Sequence, residues 1–201
     1  MLKELFESSF YITYPLKPNV VLNLVEHNFN GPCHLVDIKA CRDCREICDA
    51  NPQNREQFKF YAGHTVHVLR FDDVLQYAVG NFKDNCDFIM DDGNKICLIE
   101  MTCSSQKYIA SKRSKCRDQF WNTITLLRSC YAIRRHIDSE KQYVIFSWKE
   151  TFPNMDSTDA IEVTMKGMTM MTDDVYSPDN ESNFDNSFKY KEIRYPYTYA
   201  W

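Results

Sequence analysis

The sequence predicts an α/β fold of the α+β kind, in which helices surround a small mixed sheet. Three observations lead to this class. Several short apolar segments have the alternating or continuous hydrophobicity of strands. An Asp-Asp-Gly-Asn turn between two of them predicts a hairpin, and a segment of about thirty residues without Gly or Pro predicts one long helix. The predicted order is therefore helices, strand, hairpin, long helix and strand.

Composition narrows the class of protein. The 201 residues suit one domain with a real core, and 44% apolar with 26% charged residues is ordinary for a soluble globular protein. With a net charge of −4, binding of a polyanion would need a local basic patch or metal ions. Nine cysteines, and an N-terminus unlike a secretory signal, predict reduced thiols and an intracellular protein. No apolar segment approaches the roughly 20 residues that cross a bilayer.

The N-terminal part predicts helices. Residues 1–30 suit one or two short helices interrupted by "YPLKPN", and Gly-Pro and Asn-Pro then bracket a helix over residues 33–49. "CRDC" within it fits part of a zinc site, but a helical face of small buried cysteines explains the spacing better, and no structural disulfide is expected. That face would carry His34, Cys41, Cys44 and Cys48, at intervals of 7, 3 and 4 residues.

The middle of the chain predicts strands. "HTVHVLRFDDVLQYAV" suits either a strand or a helix, and the alternation through Val66 and Val68 favours a strand that ends near Asp72. "CDFIMDDGNKICLIEMT", residues 86–102, then forms a hairpin with its turn near Asp92 and Gly93.

A long helix and further strands complete the predicted domain. "KYIASKRSKCRDQFWNTITLLRSCYAIRRHI" is the helix, and "KQYVIFSWKE" and "AIEVTMKGMTMM" are strands. Residues 1–171 are assigned to the domain, and residues 172–201 to an acidic loop and an aromatic segment that packs on it or leads to the rest of a larger protein. The core-facing stripe of the helix comprises Ile109, Cys116, Phe120, Ile124, Leu127 and Tyr131.

Two carboxylates in the hairpin are candidates for a functional site. Asp87 and Glu100 lie thirteen residues apart, and antiparallel pairing about the turn brings them together. A buried carboxylate costs several kcal/mol unless it is paired, hydrogen-bonded or bound to metal. Converging carboxylates with a histidine suit Mg²⁺ or Mn²⁺, and the imidazole favours Mn²⁺. Alternatively, both are strand-end acids paired with Arg70 and Lys95.

A lysine would complete such a site. Two bound ions hydrolyse phosphodiesters by activating a water and stabilising the leaving oxygen, and a lysine steadies the charge that develops. Lys112 lies three residues after Ile109 and four before Cys116, so we expect it to point toward the sheet. The basic run that contains it, "KRSKCR", suits either a solvated helix face or contacts with an RNA backbone.

The spacing of Asp87 and Glu100, with twelve residues between them and a long helix after them, resembles the hairpin pattern of the PD-(D/E)xK nuclease fold. Thr102 occupies the usual lysine position of that pattern. With this departure, the chain resembles the cap-snatching endonucleases of segmented negative-strand RNA viruses, which form the N-terminal domain of bunyaviral L proteins and part of the influenza polymerase acidic subunit. The resemblance covers roughly residues 20–150.

The resemblance implies a set of site residues. "CHLVD" would supply His34, "CDF" would supply Asp87 without the usual proline, and "LIEMT" would supply Glu100 and the backbone carbonyl of Met101 as metal ligands.

Two further positions stay open in this assignment. "RFDDV" supplies Asp72, with Asp73 or Glu56 as alternatives. The catalytic lysine from "KYIASKRSK" is Lys112 or Lys115.

The resemblance also implies an activity and its context. The chain would bind two Mn²⁺ ions, with Mg²⁺ possible, and would cut capped single-stranded host RNA into primers for viral transcription. It would be a monomeric domain of an RNA-dependent RNA polymerase, located in the host cytoplasm if bunyavirus-like, in the nucleus if orthomyxovirus-like, and in virions. The alternatives are a PD-(D/E)xK DNA nuclease of a defence system and a catalytically degenerate nuclease fold that serves as a binding module.

Overall fold

The computed structural model describes residues 2–18, 26–36, 57–73, 75, 79, 84–150, 181–195 and 197–201. These residues form an eight-stranded mixed sheet with helices, so the predicted mixed α/β class is confirmed. The strands are β1 (Glu26–Val36), β2 (Gln57–Arg70), β3 (Phe88–Asp91), β4 (Lys95–Ser104), β5 (Lys141–Glu150), β6 (Glu181–Asn183), β7 (Phe188–Arg194) and β8 (Thr198–Ala200). The helices are α1 (Leu2–Leu5), a π-helical turn (Phe6–Phe10), α2 (Tyr11–Thr13), α3 (Phe71–Asp73), α4 (Gln106–Ser129) and α5 (Tyr131–Asp138).

The sheet is antiparallel on one side and parallel on the other. Its order is β1-β2-β3-β4-β5-β7-β6, and β8 pairs in parallel with β2. Strands β1 to β4 pair antiparallel, whereas β4, β5 and β7 run parallel. A parallel pair needs a long crossover connection, and α4 with α5 provides it between β4 and β5. The long helix is therefore held across one face of the sheet, next to the hairpin of β3 and β4.

Each face of the sheet has its own apolar core. The helix-side core joins residues of the N-terminal helices, α4 and α5 to one face, where Leu98 and Phe146 point. The strand-side core takes residues from strands alone within the described part of the chain, including Phe60, Ile99 and Tyr199. Strand β2 comes within 8 Å of β5 although β3 and β4 lie between them in the sheet order. The sheet is therefore curled around the strand-side core.

The predicted short N-terminal helices are confirmed over residues 2–13, but the prediction is wrong for residues 26–30, which belong to β1, and residues 19–25 lie outside the described residues. Leu2, Phe6 and Phe10 recur every fourth residue and are almost completely buried. The rings of Phe6 and Phe10 contact the ring of Phe71 at centroid distances of 5.8 and 6.0 Å. This segment therefore packs on the chain at the end of β2, beside the start of β3.

The prediction of a helix over residues 33–49 is wrong at its start. Residues 33–36 belong to β1, which pairs with β2, and residues 37–50 lie outside the described residues. The buried residues Phe29, Cys33 and Leu35 lie on one face of this strand, with the period of two that is typical of strands. The Gly-Pro pair had instead indicated the start of a helix. Gly31 has a φ of 105°, a conformation that glycine adopts without strain, where the register between β1 and β2 shifts.

The predicted hairpin is confirmed. Strands β3 and β4 pair antiparallel from Phe88 opposite Ile99 to Asp91 opposite Ile96. Asp92 closes the turn, because its Oδ1 accepts the backbone N–H groups of Asn94 and Lys95, both at 2.8 Å. The strand predicted before the hairpin is also confirmed as β2, although it begins earlier and ends at Arg70.

The long predicted helix is two helices in the structure. α4 ends at Ser129, Cys130 is extended with φ −92° and ψ 109°, and α5 begins at Tyr131. The Ser129 hydroxyl donates to the Leu126 carbonyl at 2.6 Å, a local bond that competes with helix continuation. The predicted stripe is buried from Ile109 to Leu127, whereas Tyr131 is 71% exposed because the chain changes direction before it.

The segment after residue 171 contributes strands to the same sheet. β7 pairs with β5, β6 pairs with β7, and β8 pairs with β2. β5 is confirmed, and the predicted strand "AIEVTMKGMTMM" lies outside the described residues. No helix among the described residues is long and apolar enough to cross a membrane. The six described cysteines are free.

Candidate functional site

Asp87 is fixed at the entrance to the hairpin by three hydrogen bonds. Its backbone N–H donates to the Ile99 carbonyl at 3.0 Å, and its own carbonyl accepts from Phe71 at 2.9 Å. Its carboxylate Oδ2 accepts the N–H of Met101 at 2.7 Å. The hairpin register therefore holds the Asp87 carboxylate against the backbone next to Glu100.

Glu100 lies in the middle of β4 and is only 9% exposed. It lies opposite Phe146 of β5, and the alternation along the strand directs it to the helix side with Leu98. The acids that the sequence predicted as a group are therefore brought to the space between β4 and the first half of α4.

The charges of these acids affect two buried thiols. Burial raises the pKa of the Cys86 thiol well above its usual value, and the negative charges of Glu100, Asp87 and Asp72 raise it further. A hydrogen bond with Thr123 acts in the opposite direction. Burial and the charges of Glu100 and Asp87 also raise the pKa of Cys116. Carboxylates from three parts of the chain thus act on one buried thiol, although in the described part of the chain their oxygens do not form a group within 4.8 Å of one another.

Helix α4 holds the loop that carries Asp87. The Gln119 side chain donates to the Asn85 carbonyl at 3.1 Å, and the Thr123 hydroxyl accepts the N–H of Cys86 at 3.0 Å. The Asn122 amide donates to the carbonyl of Asp84 at 3.1 Å. Asp84 itself has a φ of 61°, which a short polar residue tolerates. The helix therefore positions the site as well as covering the sheet.

The two candidate lysines are both exposed in the described structure. The expectation that Lys112 points toward the sheet is wrong. At 100° per residue, Lys112 lies about 60° from Ile109 around the helix, at the border of the buried stripe, from which a long side chain reaches solvent. Lys115 forms an ion pair with Asp84 at 3.3 Å. The catalytic role of either lysine stays a prediction.

The remaining predicted ligands are placed less completely. Asp72 lies in α3, and its Oδ1 is 3.6 Å from the Nε of Arg70. His34 lies on β1 opposite Lys59, but its side chain is outside the described residues, as are the side chains of Asp73 and Glu56. Met101 contributes its N–H to Asp87, and its carbonyl as a ligand stays a prediction.

A bidentate ion pair beside the site escaped the sequence argument. Arg113 of α4 donates from Nε and Nη2 to the two carboxylate oxygens of Glu192 at 2.7 and 2.6 Å. Glu192 lies opposite Phe146 in β7, two strands from Glu100 in the same row of the sheet. Only the register of β7, which its sequence does not reveal, places this acid there.

A second charged cluster, at the other end of β3, was also missed. The Nε2 of His136 lies 2.9 Å from Oδ2 of Asp91 and 3.0 Å from Oε1 of Glu140. Hydrogen bonds to Asp91 and Glu140 raise the pKa of His136 to about 10, against the effect of burial. The spacing of His136 and Glu140, four residues apart near the end of a helix, is the signal in the sequence that could have found it.

Comparison of the chain with protein-family models, with curated proteins and with solved structures found no match.

Proposed function

We propose that the chain is a metal-dependent RNA endonuclease of the cap-snatching type. The observation that carries the proposal is the hydrogen bond of Asp87 Oδ2 with the N–H of Met101, which holds this carboxylate against the backbone next to the buried Glu100. Both acids offer carboxylate oxygens, which hard divalent cations bind, and Glu100 offers them from a position that is 9% exposed. The cap-snatching role rests on the family resemblance of the sequence motifs.

The donor set suits a hard divalent cation. Carboxylate oxygens are the preferred ligands of Mg²⁺ and Mn²⁺, and Asp72, Asp87 and Glu100 would hold the ions, together with His34 and the Met101 carbonyl from the resemblance. Bound ions would lower the pKa of an attacking water and stabilise the leaving oxygen of a phosphodiester. The N–H of Met101 keeps the Asp87 carboxylate in place before any ion arrives.

The start of α4 supplies a surface for the RNA. Lys107, Lys112 and Arg117 are exposed on this helix, and Tyr108 is 53% exposed with Lys107 over its ring at 4.8 Å. Cations bind the phosphate backbone, and an exposed aromatic ring can stack on a base of a single strand. These residues follow directly on β4, so the surface begins beside Glu100.

A degenerate nuclease fold that only binds RNA is the second candidate. Two observations favour it: Thr102 stands at the usual lysine position, and Lys112 is exposed rather than directed at the acids. It differs from the first proposal in one measurable respect, since binding without cleavage would be expected.

Thermal melting and cleavage assays test the proposal together. At Mn²⁺ concentrations about 100-fold above its Kd, we expect the melting temperature to rise by about 5 °C or more. Single-stranded RNA should be cut in the same buffer, and a DNA strand of the same sequence should be cut more slowly. Cleavage of both strands at equal rates would favour a DNA nuclease.

Variants then assign the effect to the site. Glu100→Gln should abolish cleavage and reduce the Mn²⁺ shift, whereas Asp118→Asn, an exposed acid on α4, should change neither. A Glu100→Gln protein that melts and cleaves like the parent would contradict the proposal. Lys112→Ala should keep the shift and lose cleavage, and full activity would move that role to Lys115. Retained Mn²⁺ and RNA binding without cleavage in the parent would establish the binding module.

A further inference from the structure

The cluster of Asp91, His136 and Glu140 joins three elements at the turn end of the hairpin. Asp91 is the last residue of β3, His136 lies in the last turn of α5, and Glu140 directly precedes β5. The side chains of Asp91 and Glu140 are 0% and 1% exposed, and that of His136 is 13% exposed. Asp91 lies four residues from Asp87 along the chain, about 13 Å at the rise of a strand. The cluster is therefore separate from the proposed nuclease site.

The charges of this cluster are not balanced by its own residues. Two buried carboxylates face one imidazole, so a protonated His136 still leaves one negative charge in excess. Oδ1 of Asp91 accepts the N–H of Gly93 at 2.8 Å, which leaves Oδ2 for the cluster. Apart from the contact of Oε1 with the Nε2 of His136 at 3.0 Å, the oxygens of Glu140 have no hydrogen-bond partner among the described residues. A buried carboxylate in this situation calls for a proton or a cation.

The geometry fits a metal ion. Ligand atoms from the three residues all lie within 4.8 Å of one another. With metal to ligand distances of about 2.0–2.2 Å, ligand atoms of a tetrahedral site lie about 3.4 Å apart. The separations of 2.9 and 3.0 Å from the Nε2 of His136 would need to widen by only about 0.4–0.5 Å. An ion would then occupy the position of the proton between nitrogen and oxygen.

We infer that Asp91, His136 and Glu140 form a second metal site, which binds one divalent transition cation and ties the turn of the hairpin to the end of α5. One imidazole and two carboxylates are ligands that Mn²⁺ and Zn²⁺ both accept, and solvent would complete the coordination. The inference does not depend on the proposed function, because none of these residues belongs to the nuclease site.

The test uses the full chain with Asp87→Asn and Glu100→Gln, so that the proposed nuclease site is removed. Mn²⁺ is the probe, because thiolates compete for Zn²⁺ more strongly than for Mn²⁺. Loss of the free Mn²⁺ signal in electron paramagnetic resonance counts the bound ions after treatment with a chelator. We expect one ion per chain. Adding Glu140→Gln should raise the Kd at least about 100-fold.

The control and a second readout guard against a misfolded variant. Asp138→Asn, an exposed acid of α5 paired with Arg134, should bind Mn²⁺ as the background protein does. In the background protein itself, substoichiometric Mn²⁺ should broaden the imidazole resonances of His136 before those of His64. Absence of bound Mn²⁺, an unchanged Kd in the Glu140→Gln protein, or equal broadening of both histidines would each overturn the inference. In a chain that retains Asp87 and Glu100, cleavage of RNA tests the other site separately.

Discussion

The two faces of the sheet differ in the charged groups that lie beside their apolar cores. On the strand side, the ammonium groups of Lys95 and Lys191 lie 5.2 and 5.3 Å from the ring centroid of Tyr199. On the helix side, Glu100, Asp91 and Glu140 are buried carboxylates, and His136 is a cation beside the last two. A lysine reaches the rim of a core with an apolar stem and is attracted by an aromatic face. The carboxylate of Asp92 on the strand side accepts hydrogen bonds from Trp201 Nε1 and from backbone N–H groups, so the helix side is the face where we expect bound cations.

The strand side is therefore expected to contribute mainly stability, and the helix side to contribute the chemistry. Within the described residues, the strand-side core consists of aliphatic, aromatic, thiol and thioether side chains and contributes packing. The helix-side core has an apolar centre and carboxylates at two places, beside Asp87 and beside Asp91. We therefore expect substitutions on the strand side to lower stability and substitutions on the helix side to lower activity.

The largest effect on stability is expected on the strand side. Phe60 is fully buried and lies 5.9 Å from the ring centroids of both Phe29 and Phe58. Phe60→Ala should lower the free energy of unfolding by about 3–5 kcal/mol, measured by urea denaturation, because a cavity replaces the ring. Tyr61→Ala, at a neighbouring residue that is 54% exposed, should cost far less. The folded Phe60→Ala protein should keep the Mn²⁺ shift; its loss would contradict the division between the faces.

The next effect concerns activity on the helix side. Asp87→Asn keeps an oxygen that can accept the N–H of Met101 but removes the charge that would bind metal. The single-turnover rate of RNA cleavage should fall at least about 100-fold. Asp91→Asn, the matched change at the other end of β3, should leave the rate within about twofold. Equal losses of cleavage rate in both proteins would mean that the carboxylates of Asp87 and Asp91 do not act separately.

The sequence predicted what depends on local pattern. The hairpin, with Asp87 and Glu100 thirteen residues apart, could be predicted because the turn residues and the strand period set its register. The long helix could be predicted from its stripe, but its break at Cys130 could not, because an extended residue between two helices leaves no Gly or Pro signal. Strand β1 was missed because Gly-Pro in an edge strand looks like a helix boundary.

The second charged cluster shows why the rest was out of reach. His136 in the last turn of α5 and Glu140 just beyond it are four residues apart, but Asp91 lies 45 residues before His136. Their meeting depends on how α5 crosses the sheet, which follows from tertiary packing of the helix-side core and not from any local propensity. The same holds for Arg113 and Glu192, whose pairing requires the register of β7.

A moderate effect with a defined pH dependence is expected at Asp185. Burial raises the pKa of its carboxyl, but the N–H groups of Phe188 and Ser187 and the charge of Arg128 outweigh this and lower the pKa overall. The unfolded chain therefore binds the proton more tightly than the folded protein. The stabilisation is complete above the ordinary pKa of 3.8 and is lost as the pH falls through the lower folded pKa.

Asp185→Asn tests this prediction. It should cost about 1 kcal/mol at neutral pH, and the difference from the parent should shrink in acid, as followed by urea denaturation at several pH values. Asp118→Asn, at an exposed position, should show no such trend. A difference from the parent that stays constant down to about pH 2 would show that the Asp185 carboxylate is not the source.

The smallest effect is expected at Arg113, which links α4 to β7 next to the acids. Its side chain is 46% exposed and that of Glu192 is 20% exposed, so solvent screens the pair despite its bidentate geometry. Arg113→Met should lower the free energy of unfolding by about 0.5–1 kcal/mol at low salt and by less in 1 M NaCl. Arg134→Met, which breaks a more exposed pair with Asp138, should cost less still. A larger, salt-independent loss at Arg113 would mean that the guanidinium neutralises the carboxylates of the helix side before any metal binds.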